Sequence, residues 1–145
     1  MTCIMDHILL PVASEDDAEA TAAAVKPYIS DGGTAVFLHV IEKAGGAMDK
    51  ASVEQREEYA EETFAVIREI FDDTDADIET EIVYGTGIAE SIIESAHDND
   101  ADSISFTPRG GSKIMKLLTG NVTDTLVQNT DLPLVVLPRP EEDCD

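Results

Sequence analysis

Positive charge is what this sequence has least of: 9 Lys and Arg stand against 31 Asp and Glu in 145 residues, a formal net charge of -22 at neutral pH. Such a surface repels a polyphosphate backbone and an anionic bilayer alike, which excludes non-specific binding of nucleic acid or acidic lipid. Cysteine is also scarce. Cys3 and Cys144 lie near opposite ends and share no metal-ligand spacing with a histidine, so neither a zinc site nor a disulfide framework is indicated, and both are expected as free thiols. No apolar run approaches the roughly 20 residues that span a bilayer, and no basic leader precedes an apolar segment, so a cytoplasmic location is expected.

Several catalytic arrangements are missing too. His7, His39 and His97 have no spacing that ties them to a cysteine or serine nucleophile, and the expectation is a binding module rather than an enzyme. Asp16 and Asp17 could hold Mg²⁺, but they suit the first turn of a helix at least as well. Gly110-Gly111-Ser112-Lys113 has the ingredients of a P-loop without the order of one, and no G-x-G-x-x-G follows the first strand. Asn121-Val122-Thr123 matches a glycosylation sequon and is read as the start of a helix.

What is present is a strong apolar pattern. At 43% apolar content the chain is long enough for one domain with a real core, and its acids fall between runs such as HILLPVA and LPLVVLP. The reading is a single folded domain over 1–145 with an acidic tail at 141–145, and a surface suited to a high-salt, halophilic cytoplasm where counterions screen the repulsion.

Residues 7–13 read as a strand buried on both faces, followed by Ser14 as an N-cap and a helix whose stripe is Ala18, Ala22, Val25 and Ile29. Asp31, Gly32 and Gly33 stop that helix, and Pro27 bends its last turn. A strand at 34–41, a helix at about 52–71, and an alternating strand at 77–82 near an edge come next. After Gly85 and Gly87 a helix carries Ile88, Ile92 and Ala96 on one face, and Asp98, Asn99 and Asp100 end it. A strand at 101–106, a glycine-containing loop at 107–120, a helix at about 121–128 and a strand at 132–137 complete the order βαβαβαβαβ. Alternation of this kind predicts an α/β fold: a five-stranded parallel sheet with helices on both faces.

One segment stands out chemically. No acid occurs in the 21 residues between Asp102 and Asp124, where roughly four would fall by chance, and the same segment holds Arg109, Lys113, Lys116 and three glycines. Glycines let backbone N–H groups approach a ligand, and a helix starting after Gly120 would aim its unpaired N–H groups at the same point, which is the composition of an anion cradle. A buried strand with a packed turn would exclude acids as well.

These residues resemble the universal stress protein family along nearly the whole chain. Ile8-Leu9-Leu10-Pro11-Val12 is similar to its opening strand, Val83-Tyr84-Gly85 to the end of its third, and Leu134-Val135-Val136 to its closing strand. Its nucleotide-binding members carry G-x-x-G, nine residues, then G followed by Ser or Thr; here Gly110 and Gly120 keep the nine-residue gap and Val122-Thr123 follows. Thr107 stands where the first glycine is expected, Asn121 where the Ser or Thr is, and Ala13 where binding members place an Asp. Thr107 would crowd the phosphates through its Cβ, Asn121 keeps a side-chain donor, and Ala13 offers no polar group.

The resemblance implies a stress-response regulatory module that binds ATP or another adenine nucleotide, with Mg²⁺ as an accompanying ion. The base and ribose would rest near Val12, Ala13 and Val40, and the phosphates near Arg109, Gly110, Gly120, Asn121, Val122 and Thr123. It also implies a homodimer joined through the closing strand at 132–137, an apolar edge hazardous if left unpaired. The alternative is a homodimeric scaffold that binds no nucleotide and acts through an unidentified protein partner.

Overall fold

The computed structural model of the protein describes residues 6–12, 15–29, 32–42, 50–85, 87–107 and 120–137. Among the described residues nine elements alternate: β1 (His7–Pro11), α1 (Glu15–Val25), β2 (Thr34–Glu42), α2 (Lys50–Ile70), β3 (Asp77–Gly85), α3 (Ile88–Asp98), β4 (Ser103–Phe106), α4 (Gly120–Asn129) and β5 (Leu134–Val136). All strand pairs are parallel, in the order β3-β2-β1-β4-β5. The expected α/β class and element order are present.

Strand β1 lies at the centre because its side chains are apolar on both faces. Ile8, Leu10 and Val12 point into a core with Ala18 and Ala22 of α1 and Phe64 and Ile67 of α2. Leu9 points the other way, into a core with Ile92 and Ala96 of α3 and Leu126 of α4. The helices therefore cover both faces, α1 and α2 on one side, α3 and α4 on the other. Each of the larger side chains so buried contributes about 1.5–3 kcal/mol.

Local chemistry explains where the boundaries moved. Helix α1 ends at Val25 rather than running to Ile29, because Pro27 has no N–H to continue the ladder and disfavours helical backbone at Lys26. The chain closes that end with turns, Tyr28 N–H donating to the Val25 carbonyl at 2.8 Å, and Gly32 supplies φ of 77°. Lys26 Nζ then bridges to the Ile70 carbonyl and to Asp73, both at 2.9 Å, tying the end of α1 to the end of α2. Strand β3 is longer than the expected 77–82 and is the sheet edge, as its alternation indicated. Strand β5 is shorter than 132–137: Pro133 precedes it, and its ladder with β4 is confined to Leu134, Val135 and Val136.

Helix α3 stops where Asp98, Asn99 and Asp100 predicted, and the mechanism is a Schellman turn. Asp100 adopts φ of 55°, its N–H donates to the His97 carbonyl at 3.1 Å, and Ala101 N–H donates to the Ala96 carbonyl at 2.9 Å. Ala101 and Ala96 also meet in the core, the apolar contact that accompanies this motif. At the opposite end of α3, Gly85 leaves room for a close neighbour: a Cβ there would lie 2.2 Å from Ser91 Oγ, which donates to the Gly87 carbonyl at 2.8 Å.

Candidate functional site

The side to which successive strands are added reverses between β1 and β4. From β1 the connection runs outward to β2 and β3, and from β4 it runs to β5 on the other side. Connections leaving the two neighbouring strands thus diverge, and the carboxyl ends of such a pair are the usual ligand position in sheets of this kind. Val12 stands at the end of β1, its N–H donating to the Leu38 carbonyl at 2.9 Å, and Thr107 stands at the end of β4. Helix α4 enters this edge with Gly120, so its first backbone N–H groups have no partner within the helix and carry its positive dipole end.

The expected site residues distribute as follows. Val12 is fully buried on the α1 and α2 side, whereas Val40 is half-buried on the other face with Val83 and Ile88. The two therefore flank the carboxyl end of the sheet from opposite faces. Gly120, Asn121, Val122 and Thr123 form the first turn of α4. Ala13, Arg109 and Gly110 lie outside the described residues, as do Lys113 and Lys116.

Thr107 is buried and turned toward α1, where its hydroxyl pairs with that of Thr21 at 2.9 Å. Thr21 in turn donates to the Asp17 carboxylate at 3.3 Å. Asp17 itself is only 1% exposed, while Glu15 and Asp16 beside it face solvent. The sequence reading placed Asp16 and Asp17 together as a helix start or a Mg²⁺ pair; the structure separates them, one outside and one inside. A signal was available, because Asp17 and Thr21 are one helical turn apart within the stripe of Ala18, Ala22 and Val25. Among the described residues no group of three or more His, Cys, Asp or Glu is arranged to hold a metal ion.

His39, which no spacing ties to a nucleophile, is buried beside the end of β1. Its Nδ1 lies 3.2 Å from the Val12 carbonyl, and its ring meets Tyr59 of α2 edge-on at 6.3 Å between centroids. A carbonyl only accepts, so Nδ1 carries the proton in this contact. Burial pushes the imidazole pKa below its ordinary value, with the Val12 carbonyl opposing that shift. The ring is thus a neutral peg between the end of β1 and α2.

A cleft of about 580 Å³ lies between the end of β3 and the helices α3 and α4, bordered by Tyr84, Gly85, Ser91, Thr125 and Asn129. Glu90 and Glu94 also line it, and both are exposed. Two carboxylates make it unsuited to phosphate. Among the described residues no helix is long and apolar enough to cross a membrane.

A model described as the universal stress protein family matches residues 5–138. The chain is 33% identical over 117 residues to the stress response protein NhaX of Bacillus subtilis (strain 168), a match that covers 79% of this chain and spans 66% of that relative's length. Among solved structures, the hypothetical protein MJ0577 superposes with a TM-score of 0.69 at 22% identity, covering 97% of this chain and 100% of the other. The universal stress protein from Archaeoglobus fulgidus in complex with dAMP gives a TM-score of 0.63 at 17% identity over 93% of this chain and 99% of its own.

Proposed function

Since the chain belongs to the universal stress protein family, we propose that it is a small cytoplasmic stress-response module that binds an adenine nucleotide at the carboxyl ends of β1 and β4. The observation that carries this reading is the junction itself. An acid-free segment with nine residues between Gly110 and Gly120 leaves β4 at the switch point and ends in the N-terminus of α4. The described residues fit such a ligand: the Thr107 side chain is turned away into the α1 contact, and the first N–H groups of α4 are free of helical partners. A relative of the same fold is described in complex with dAMP, which supports an adenine nucleotide over other anions. Arg109 supplies charge for phosphate oxygens, Val12, Ala13 and Val40 border the base and ribose, and Mg²⁺ accompanies a triphosphate. The module works by binding, with hydrolysis at most slow.

Calorimetric titration with AMP and with MgATP, in KCl high enough to screen the surface, tests this. Saturable binding that is lost in Gly120→Val is the expected result, because a Cβ and its branches would intrude on the cradle. No heat and no thermal shift at millimolar nucleotide would reject the reading.

A second reading is favoured by one observation. Val136 of β5 is 59% exposed and Val127 of α4 is 62% exposed, large apolar side chains on elements of the sheet's β5 side. A homodimer joined along 132–137 would cover this edge and leave a scaffold that acts through protein partners without nucleotide. Light scattering in high salt decides: a dimer that Val136→Lys converts to a monomer is expected, and a wild-type monomer would refute it.

A further inference from the structure

We infer that the buried relay Asp17–Thr21–Thr107 is the positioning element of the nucleotide site, fixing the exit of β4 by hydrogen bonding. This rests on the nucleotide reading above. Threonine at 107 brings a branched Cβ to the carboxyl rim of the sheet, and its atoms must go somewhere. They go to the α1 side, where Thr21 is the polar residue in a buried surface otherwise made by Ala18, Ala22, Ala24 and Val25, with Asp17 one turn earlier.

Proton counting gives the relay a direction. A threonine hydroxyl has a single proton. Thr21 donates its proton to the Asp17 carboxylate, so its oxygen is left to accept, and Thr107 is the donor across the 2.9 Å contact. Both bonds are then oriented, the contact between the hydroxyls being the shorter at 2.9 Å and the one to Asp17 the longer at 3.3 Å. The arrangement holds Thr107, the residue that follows β4, against the first turns of α1.

The polar link is made at the rim and not below it. Ser105 sits one strand repeat beneath Thr107 on the same face, fully buried, and its hydroxyl has no hydrogen-bond partner among the described residues. A seam that served packing alone would gain as much from a bond at Ser105. Placing it at Thr107 fixes the backbone where the phosphate-binding segment begins, and a preorganised site spends less of its binding energy on ordering itself.

The test uses the full chain, titrated with AMP and with MgATP, as wild type, Thr21→Val, Thr107→Val, Thr107→Ser and the double valine variant, with thermal melts alongside. Valine keeps the shape and removes the hydroxyl. Each single valine variant is expected to weaken binding about five-fold, the double variant no further, and Thr107→Ser to recover affinity relative to Thr107→Val. If the melts shift but affinities do not, the relay is structural and the inference is overturned while the nucleotide reading stands. Losses that multiply in the double variant also overturn it, since the hydroxyls would then act independently. A wild type that binds no nucleotide removes the reading and the inference together.

Discussion

Gly85 offers a sharp test of packing at the junction of β3 and α3. A Cβ at this position would come within 2.2 Å of Ser91 Oγ, while the next nearest atom, Ser91 Cβ, is at an ordinary 3.5 Å. The conflict is thus with one rotatable hydroxyl. In Gly85→Ala that hydroxyl must swing away and lose its bond to the Gly87 carbonyl, a net cost of about 1 kcal/mol, with about another 0.5–1 for the displaced rotamer. Restricting the unfolded chain returns about 0.4–1 kcal/mol. The single variant should therefore be destabilised by about 1 kcal/mol, or about 3 °C in Tm. Ser91→Ala alone should be nearly neutral, because the Gly87 carbonyl keeps the Ser91 N–H at 3.0 Å and alanine favours the helix. In the Ser91→Ala background the clash is gone and only the unfolded-state term remains, so Gly85→Ala should become stabilising. Urea melts followed by far-ultraviolet circular dichroism, run as a double-mutant cycle, read this reversal of sign. Equal destabilisation in both backgrounds would refute the reasoning and place the strain elsewhere.

Two further outcomes follow from features of the fold. His39 has a pKa lowered by burial, so the unfolded chain binds its proton more readily; its contribution is intact above about 6.5 and declines as pH falls below that value. Melts of wild type and His39→Gln between pH 7.5 and pH 5 should show the wild type losing more stability; parallel curves would contradict this assignment. Asp100 sits in the left-handed region at φ of 55°, so Asp100→Gly should gain up to about 1 kcal/mol and Asp100→Val should lose more than that, by chemical denaturation; a loss with glycine would mean that the Asp100 side chain matters more than its backbone.

Much of this architecture is legible without coordinates because the patterns are physical necessities. A strand such as Ile8-Leu9-Leu10 with no polar face has to lie inside a sheet, and glycines, prolines and acids punctuate the helices where the backbone requires it. The edge position of β3 was readable from Asp77, Glu79 and Glu81 alternating with Ile78, Thr80 and Ile82 for the same reason. Boundaries were less legible at Pro27 and Pro133, where one missing N–H shortens an element by a turn or a pair. The polar contacts of the site were hidden further, since Thr21 and Thr107 are 86 residues apart and only the packing of α1 on β4 unites them. No local period encodes that meeting, and the same holds for His39 and the Val12 carbonyl. Asp17 was half visible: its charge was noticed, but its inward orientation depends on where the helix docks.

The central place of β1 also shapes how the protein is made. In chain order this strand meets its β2 neighbour early, Ile8 pairing with Ala35. Its other edge waits for β4, where Ile8 pairs with Ser103. At about 5–20 residues per second, the intervening synthesis takes on the order of ten seconds. Throughout that interval the nascent chain presents an apolar strand with one open hydrogen-bonding edge, the kind of surface that holding chaperones engage. The strand that anchors both cores of the finished protein is thus the one most exposed to misassembly during translation.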